Sequence, residues 1–84
     1  MADPSSWLAV EWGWEVVGRD GKQVGHVERV LGEEERDIFH GLAVATNLTG
    51  PPRLVAAEHV GRIVERRVTI DLTKDEVERL DPVE

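Results

Sequence analysis

Apolar residues recur at every second position near the beginning of the chain. From Leu8 to Val16 all even positions are apolar, with Glu11 and Glu15 among the residues between them. A period of two residues is typical of an extended strand with one buried face. A short helix over residues 5–12 is the competing interpretation, because some of the same apolar residues also fit a helical turn. We expect the strand.

The next segment has the pattern of a β-hairpin. Asp20-Gly21 separates an apolar run that ends at Val17 from one that begins at Val24. Asp-Gly between two strand-like runs predicts a tight turn, because glycine adopts the required backbone angles without steric strain. Gly25, early in the second strand, indicates a bulge or a close approach of another backbone.

Further strands follow the first hairpin. The acidic run Glu33–Asp37 lacks apolar periodicity and predicts a solvated turn. Ile38–Thr46 is apolar enough for a central strand. A fourth strand is predicted over Arg53–Ala57, and a helical turn over Glu58–Gly61 follows it. Residues 63–72 are expected to form a last hairpin that bends near Glu65-Arg66-Arg67.

The chain is expected to finish with a short helix. Thr73 followed by Glu76 fits a capping box, in which each residue satisfies a free backbone N–H of the first helical turn. The helix is predicted from Lys74 to Leu80, and Pro82 stops it. These elements together predict a mostly-β fold, a small SH3-like antiparallel β-barrel with a short C-terminal helix.

Size and composition narrow the class of protein. The chain has 84 residues and a formal charge of −7, which leaves room for one domain with a small core. An acidic surface repels phosphate backbones, so we expect no nucleic-acid partner. The absence of cysteine favours a reducing cytoplasm. No stretch approaches the roughly 20 apolar residues that span a bilayer, so we expect a cytoplasmic protein without a membrane partner.

The order of the motifs resembles the PRC-barrel family. That family has a strand, a D-G turn, a G-x-V element, a G-L-x-V strand, and an aliphatic strand that leads into a helical turn. The chain matches these elements in order with Asp20-Gly21, Gly25-His26-Val27, Gly41-Leu42-Ala43-Val44 and residues 54–60. The similarity runs from Trp14 to Leu72. One departure is Ala56, where the family often has proline.

The resemblance implies a PRC-type barrel and a docking module, not an enzyme. The family includes the cytoplasmic part of the photosynthetic reaction-centre H subunit and the C-terminal domain of a ribosome-maturation factor. It also includes short stand-alone proteins, which this chain resembles more than either. We therefore expect a Trp-rich arm over residues 1–13 and a barrel domain over residues 14–84. The structural residues are expected to be Asp20, Gly21, Gly25 and Gly41.

Candidate catalytic and metal-binding residues are few. Both serines lie in the first six residues, and the chain has no cysteine or tyrosine to act as a nucleophile. His26 and His40 would be neighbours on paired strands, with Glu28 or Asp37 completing a metal site, but no H-x-H or H-x₃-H pair supports this alternative. We expect solvated histidines, no metal site, no cofactor and no catalysis.

Three tryptophans, Trp7, Trp12 and Trp14, fall within eight residues. A small barrel does not easily hold three indoles, so some should cover an apolar patch or a partner surface. Trp14 adjoins the barrel and is expected to point inward. The predicted interface consists of Trp7, Leu8, Val10 and Trp12. The alternative is that the arm folds back over its own barrel.

Three functions follow from these observations. The first is a non-enzymatic interaction module that self-associates as a homodimer or binds an unidentified protein. The second is a ribosome-maturation or RNA-processing accessory protein, supported by a local cluster of Arg62, Arg66 and Arg67 and opposed by the net charge. The third is a small-ligand or metal-binding stress protein, which depends on the histidines.

Overall fold

A computed structural model describes residues 7–47 and 50–83, and the predicted N-terminal lead-in of residues 1–6 lies outside them. The described part contains a six-stranded sheet, three 3₁₀ turns and one short helix. The strands are β1 (Glu15–Val17), β2 (Gln23–Glu33), β3 (Ile38–Ala45), β4 (Arg53–Ala56), β5 (Val60–Val64) and β6 (Arg67–Ile70). The 3₁₀ turns are Trp7–Ala9, Glu34–Arg36 and Ala57–His59, and helix α1 is Lys74–Glu78.

The sheet has the order β4-β3-β2-β1-β6-β5, so β4 and β5 are its two edges. The predicted mostly-β fold with one short terminal helix is confirmed. The expectation of purely antiparallel pairing is wrong in one place, because β1 and β6 are parallel, with Val16 opposite Val68. These strands lie near opposite ends of the chain, so no tight turn constrains their relative direction.

The core is built from aliphatic side chains of all six strands and of α1. Val77 is fully buried and brings the helix onto the sheet. Burial of each such side chain contributes about 1.5–3 kcal/mol relative to exposure. The largest fully buried side chains are Val16, Val24, Val27, Leu42, Val44, Val55, Val68, Ile70 and Val77.

The predicted strand from Leu8 to Val16 is wrong. A 3₁₀ turn occupies Trp7–Ala9, and β1 is only Glu15–Val17. The backbone N–H of Val10 donates to the carbonyl oxygen of Trp7 over 3.2 Å, which is a turn contact that an extended strand cannot make. The competing interpretation of a helical turn describes this segment better.

The first hairpin forms at the predicted turn. The N–H of Gly18 donates to the carbonyl oxygen of Lys22 over 2.9 Å, and Oδ1 of Asp20 accepts from the N–H of Lys22 over 3.1 Å. Gly21 has a φ of +80°, the left-handed conformation that glycine adopts without a Cβ clash. Asp20 and Gly21 therefore form the turn at the predicted position.

Gly25 lies at both a bulge and a close backbone approach. Val16 is opposite Gly25 and Val17 is opposite Gln23. Val24, between Gln23 and Gly25, is therefore the extra residue of a bulge in β2. A Cβ added to Gly25 would overlap the carbonyl oxygen of Ala45 on β3. A Cβ added to Gly41 would meet the carbonyl oxygen of Val55 in the same way. Side chains are therefore excluded at both glycines by neighbouring backbone.

The long β2–β3 hairpin ends in the acidic segment. Its 3₁₀ turn, Glu34–Arg36, is exposed, and Asp37 follows in a left-handed conformation with a φ of 52°. The predicted solvated turn is confirmed. β3 lies between β2 and β4 and is buried from Gly41 to Ala45, as expected for a central strand.

The second half of the chain follows the sequence predictions closely. The helical turn after β4 is Ala57–His59, which begins one residue and ends two residues earlier than expected. The last hairpin bends at Glu65-Arg66, where Arg66 has a φ of 68°. The capping box of Thr73 and Glu76 is present, although α1 ends at Glu78, two residues before the predicted end.

Candidate interaction surface

Trp12 is the most exposed large apolar side chain in the described part of the chain, with 72% of its surface accessible. It lies at the corner of a β-turn in which the N–H of Trp14 donates to the carbonyl oxygen of Glu11 over 3.3 Å. Gly13, the third residue of this turn, has a φ of +88°, as type II turns require. The turn geometry therefore places the indole of Trp12 in solvent.

The turn that presents Trp12 is fixed to the barrel on both sides. Val10, just before it, is only 7% exposed and belongs to the core. After it, the N–H of Gly13 donates to the carbonyl oxygen of Val27 over 2.7 Å, and the N–H of Val27 donates to the carbonyl oxygen of Trp14 over 2.8 Å. The exposed indole is thus held on ordered backbone.

The imidazole of His26 supports one edge of the indole of Trp12. The two ring centroids are 6.5 Å apart and the rings are inclined at 73°, which is an edge-to-face arrangement. His26 is partly buried on β2. It restricts the orientation of the indole and leaves most of the aromatic surface free to contact another molecule.

Trp7 does not share this exposure. Its ring stacks on Phe39 with a centroid distance of 5.3 Å and an interplanar angle of 16°, and its Nε1 donates to Oδ1 of Asp37 over 2.9 Å. Two of its ring carbons would lie 2.9 Å from a Cβ added to Gly32. Trp7 therefore covers the tip of the β2–β3 hairpin. It packs against its own chain, whereas the sequence pattern predicted a place on a partner surface.

The other predicted interface residues also differ in their exposure to solvent. Val10 is buried in the core, so it is not available to a partner. Leu8 is 49% exposed. Trp14 is partly buried and packs against the core, as expected. Of the four residues predicted for the interface, Trp12 and Leu8 present apolar surface to solvent, and we call these two the Trp12 surface.

A shallow cleft adjoins His26, on the barrel end formed by the start of β2 and the end of β3. It has a volume of about 240 Å³, which is small for a ligand site. Its polar lining includes Gln23, His26, Thr46, Asn47 and Lys74. No motif in the sequence predicts this cleft, because its residues come from three separate elements.

The three histidines lie apart from one another. His26 is opposite Ala45 in the β2–β3 ladder, so the alternative in which it neighbours His40 is wrong. Nε2 of His40 lies 3.4 Å from a carboxylate oxygen of Glu33, and His59 pairs separately with an aspartate of the β6 end. Within residues 7–47 and 50–83, no group of three or more His, Asp or Glu side chains is arranged to hold a metal ion.

Of the three arginines at the last hairpin, one forms an ion pair within the described residues. Nε of Arg67 donates to a carboxylate oxygen of Glu15 over 3.0 Å. The side chains of Arg62 and Arg66 are exposed and have no ion-pair partner in the described part of the chain. Two guanidinium groups are therefore available on the β5–β6 hairpin of an otherwise acidic domain.

One carboxyl group has a shifted pKa. The N–H of Thr73 donates to Oε1 of Glu76 over 2.9 Å, and Arg19 forms an ion pair with the same carboxylate. The hydrogen bond from Thr73 and the contact with Arg19 favour the ionised form and lower the pKa of Glu76 below its ordinary value of 4.5. The first contact belongs to the helix cap and the second joins the β1–β2 turn to the helix, so both account for this shift without a catalytic role.

This six-stranded mixed sheet, with one short capped helix, is consistent with a barrel-like domain. A family model described as PRC-barrel domain matches residues 13–77. The chain therefore belongs to the PRC-barrel domain family, and the resemblance of its sequence motifs is confirmed. No curated protein matched the chain. None of the helices in the described residues is long and apolar enough to cross a membrane.

Proposed function

We propose that this PRC-barrel domain is a non-catalytic docking module that forms a homodimer through the Trp12 surface. The observation that carries the proposal is the 72% exposure of Trp12. A large indole in water is unfavourable, and its burial in a contact is favourable because apolar area leaves water. Tryptophan is also strongly enriched among the residues that dominate binding energy at protein interfaces.

The fixed position of Trp12 supports a contact role. Its turn is bonded to β2 on one side and anchored by buried Val10 on the other. A side chain already held in place loses less conformational freedom on binding, which increases affinity. Leu8, four residues before Trp12 in the chain and 49% exposed, provides further apolar area.

A second copy of the chain is the proposed partner. Twofold dimers are the commonest closed assemblies, and they bring the same patch of each subunit into contact. Two copies of the Trp12 surface would each cover the other's indole. The charge of −7 on each copy opposes this encounter, and salt screens that repulsion over about 8–10 Å. Dimerisation should therefore strengthen as ionic strength rises.

The absence of catalysis is part of the proposal. Catalytic groups are commonly desolvated and have perturbed pKa values. The described residues include no buried polar or charged side chain, and the shifted pKa of Glu76 has a structural cause. These observations support a binding role. A cytoplasmic location and the division into an arm of residues 1–13 and a barrel of residues 14–84 remain predictions.

Multi-angle light scattering across a concentration series tests the dimer. The wild type should approach twice the chain mass at high micromolar concentration, and Trp12→Ala should return it to the monomer mass. Leu54→Ala is the matched control, since Leu54 is also an exposed apolar residue, at 39%, but lies on β4. A wild type that remains monomeric at every concentration and salt level refutes self-association.

A further inference from the structure

The two edges of the sheet are protected to different degrees. The outer side of β4 is covered by the C-terminal segment, where the N–H of Leu54 donates to the carbonyl oxygen of Asp81 over 3.1 Å. The N–H of Val83 donates to the carbonyl oxygen of Pro52 over 2.8 Å, and Pro82 bridges to Arg53. This edge is therefore closed to another strand along part of its length.

Within residues 7–47 and 50–83, the β5 edge has no such cover. Among the described residues, β6 is the one strand paired with Val60–Val64, and no loop donates to or accepts from the outer side of β5. An open edge presents unpaired N–H and C=O groups, which can bond an additional strand. Arg62 lies in the middle of β5, and Arg66 lies in the bend that follows it.

We propose that the open edge of β5 binds an extended, acidic segment of a different protein by strand addition. In this mode, backbone hydrogen bonds give general affinity, and side chains on alternate positions give specificity. The guanidinium groups of Arg62 and Arg66 are exposed and have no carboxylate partner within the described part of the chain. Arg62 favours a carboxylate beside it in the added strand, and Arg66, in the bend that follows β5, adds positive charge at the end of the strand.

The same edge disfavours a second copy of this chain. Antiparallel pairing of two full β5 strands about a twofold axis centres on Arg62, the middle residue of Val60–Val64. It therefore places two guanidinium groups directly opposite each other, and like charges in that position are destabilising. An acidic strand in the same place replaces this repulsion with attraction.

The contact is expected to be short and weak. The register of β5 against β6 shifts between Val60 and Ile63, so the strand is regular only over its second half. The domain has a net charge of −7, but at physiological ionic strength salt screens the field of a surface carboxylate beyond about 8 Å. The local arginines therefore decide which peptide binds, and an affinity in the micromolar range or weaker is expected.

A labelled peptide of eight residues that alternates glutamate and valine is a suitable probe. Fluorescence anisotropy should show binding, and amide NMR shifts should concentrate at Val60–Val64. Arg62→Glu should weaken binding at least tenfold. Arg29→Glu is the matched control, because Arg29 is exposed on β2 and also lacks an ion-pair partner in the described residues, and it should change binding less than twofold.

Two further peptides separate strand addition from simple ion pairing. Replacing each glutamate by lysine should abolish binding, and N-methylation of alternate backbone nitrogens should abolish it while keeping the charges. Undiminished binding of the N-methylated peptide, equal binding of the lysine peptide, or shifts away from β5 would each overturn the proposal. A short single-stranded RNA that binds better than the acidic peptide and loses affinity in Arg62→Glu would also overturn it.

The test is independent of the proposed dimer. Trp12→Ala should bind the glutamate peptide as the wild type does, because Trp12 lies on the turn before β1 and not on β5. Arg62→Glu should leave the mass measured by light scattering unchanged. A loss of dimer in Arg62→Glu would show that β5 pairs with a second copy, which contradicts the inference.

Discussion

The indole Nε1 of Trp7 donates a hydrogen bond of 2.9 Å to Oδ1 of Asp37. This bond joins the first 3₁₀ turn to the residue that follows the acidic tip of the β2–β3 hairpin. The ring of Trp7 also stacks on Phe39. The contact separates the roles of neighbouring tryptophans, since Trp7 stabilises the chain's own hairpin while Trp12 remains in solvent.

Substitution of Trp7 should therefore affect stability, and substitution of Trp12 should not. Trp7→Ala loses the stacking and the hydrogen bond to Asp37, and we expect the free energy of unfolding to fall by about 2 kcal/mol. Trp12→Ala should change it by about 0.5 kcal/mol or less, because exposed side chains contribute little. Urea denaturation at low protein concentration measures both. Equal losses would contradict this assignment of the two tryptophans.

Fluorescence quenching should report the exposure of Trp12 directly. Acrylamide, a neutral quencher, should act most strongly on Trp12, which is 72% exposed, and the quenching slope should fall clearly in Trp12→Phe. In Trp7→Phe the slope should stay the same or rise. If the Trp12 surface dimerises, the wild-type slope should also decrease as protein concentration increases, and a slope independent of concentration would count against that contact.

Local signals predicted most of the fold. The Asp20-Gly21 turn, the solvated acidic turn and the capping box of Thr73 and Glu76 are each determined by a few adjacent residues, and each is confirmed. The parallel pairing of β1 with β6 could not be predicted in this way. It depends on strands that are distant in the chain, and no residue in either strand signals the direction of its partner.

Substitution by alanine should reduce stability more at Gly25 than at Gly21. A Cβ at Gly25 overlaps the carbonyl oxygen of Ala45, and one at Gly21 meets no atom within 4 Å. Gly21→Ala suffers only from its φ of +80°, at about 1–2 kcal/mol. Gly25→Ala must instead separate β2 from β3, so we expect a loss above about 3 kcal/mol. Thermal unfolding ranks the variants, and a Gly25→Ala as stable as Gly21→Ala would contradict the close approach.

Ala56→Pro should stabilise the protein. Ala56 has a φ of −63°, which matches the angle that proline fixes. The N–H of Leu54 points to the outer edge of β4, and by strand alternation the N–H of Ala56 points there too, so proline removes no sheet bond. We expect a gain of about 0.4–1 kcal/mol from a less flexible unfolded chain. A loss of stability in Ala56→Pro would show that its N–H has a partner.

The helix cap should make stability depend on pH in the acidic range. The pKa of Glu76 is lower in the folded protein than its ordinary value of 4.5, so its ionised form stabilises the fold. That contribution is complete above the unfolded-state pKa and is lost as pH falls from 4.5 through the lower folded-state pKa. Glu76→Gln should therefore flatten the decline in stability below pH 4.5, whereas Glu78→Gln should follow the wild type. Parallel profiles for Glu76→Gln and wild type would contradict the shift.

The candidate site was predictable only in part. The cluster of tryptophans signalled an interface, but the alternation from Leu8 to Val16 suggested a single face for all even positions. The observed inward residues are Trp7, Val10 and Trp14, at spacings of three and four that are typical of a helical turn. The exposure of Trp12 depends on the turn made by Gly13, and the free edge of β5 depends on the whole sheet order.

The parallel contact between β1 and β6 affects how the protein forms during synthesis. β1 is synthesised well before β6, the strand that covers its second side with Val68 opposite Val16. Contacts between distant parts of a chain form slowly because a long loop must close first. A growing chain can form the hairpins of β1, β2 and β3, yet it cannot close its core until β6 is available. The domain is therefore expected to gain its native stability in one late step.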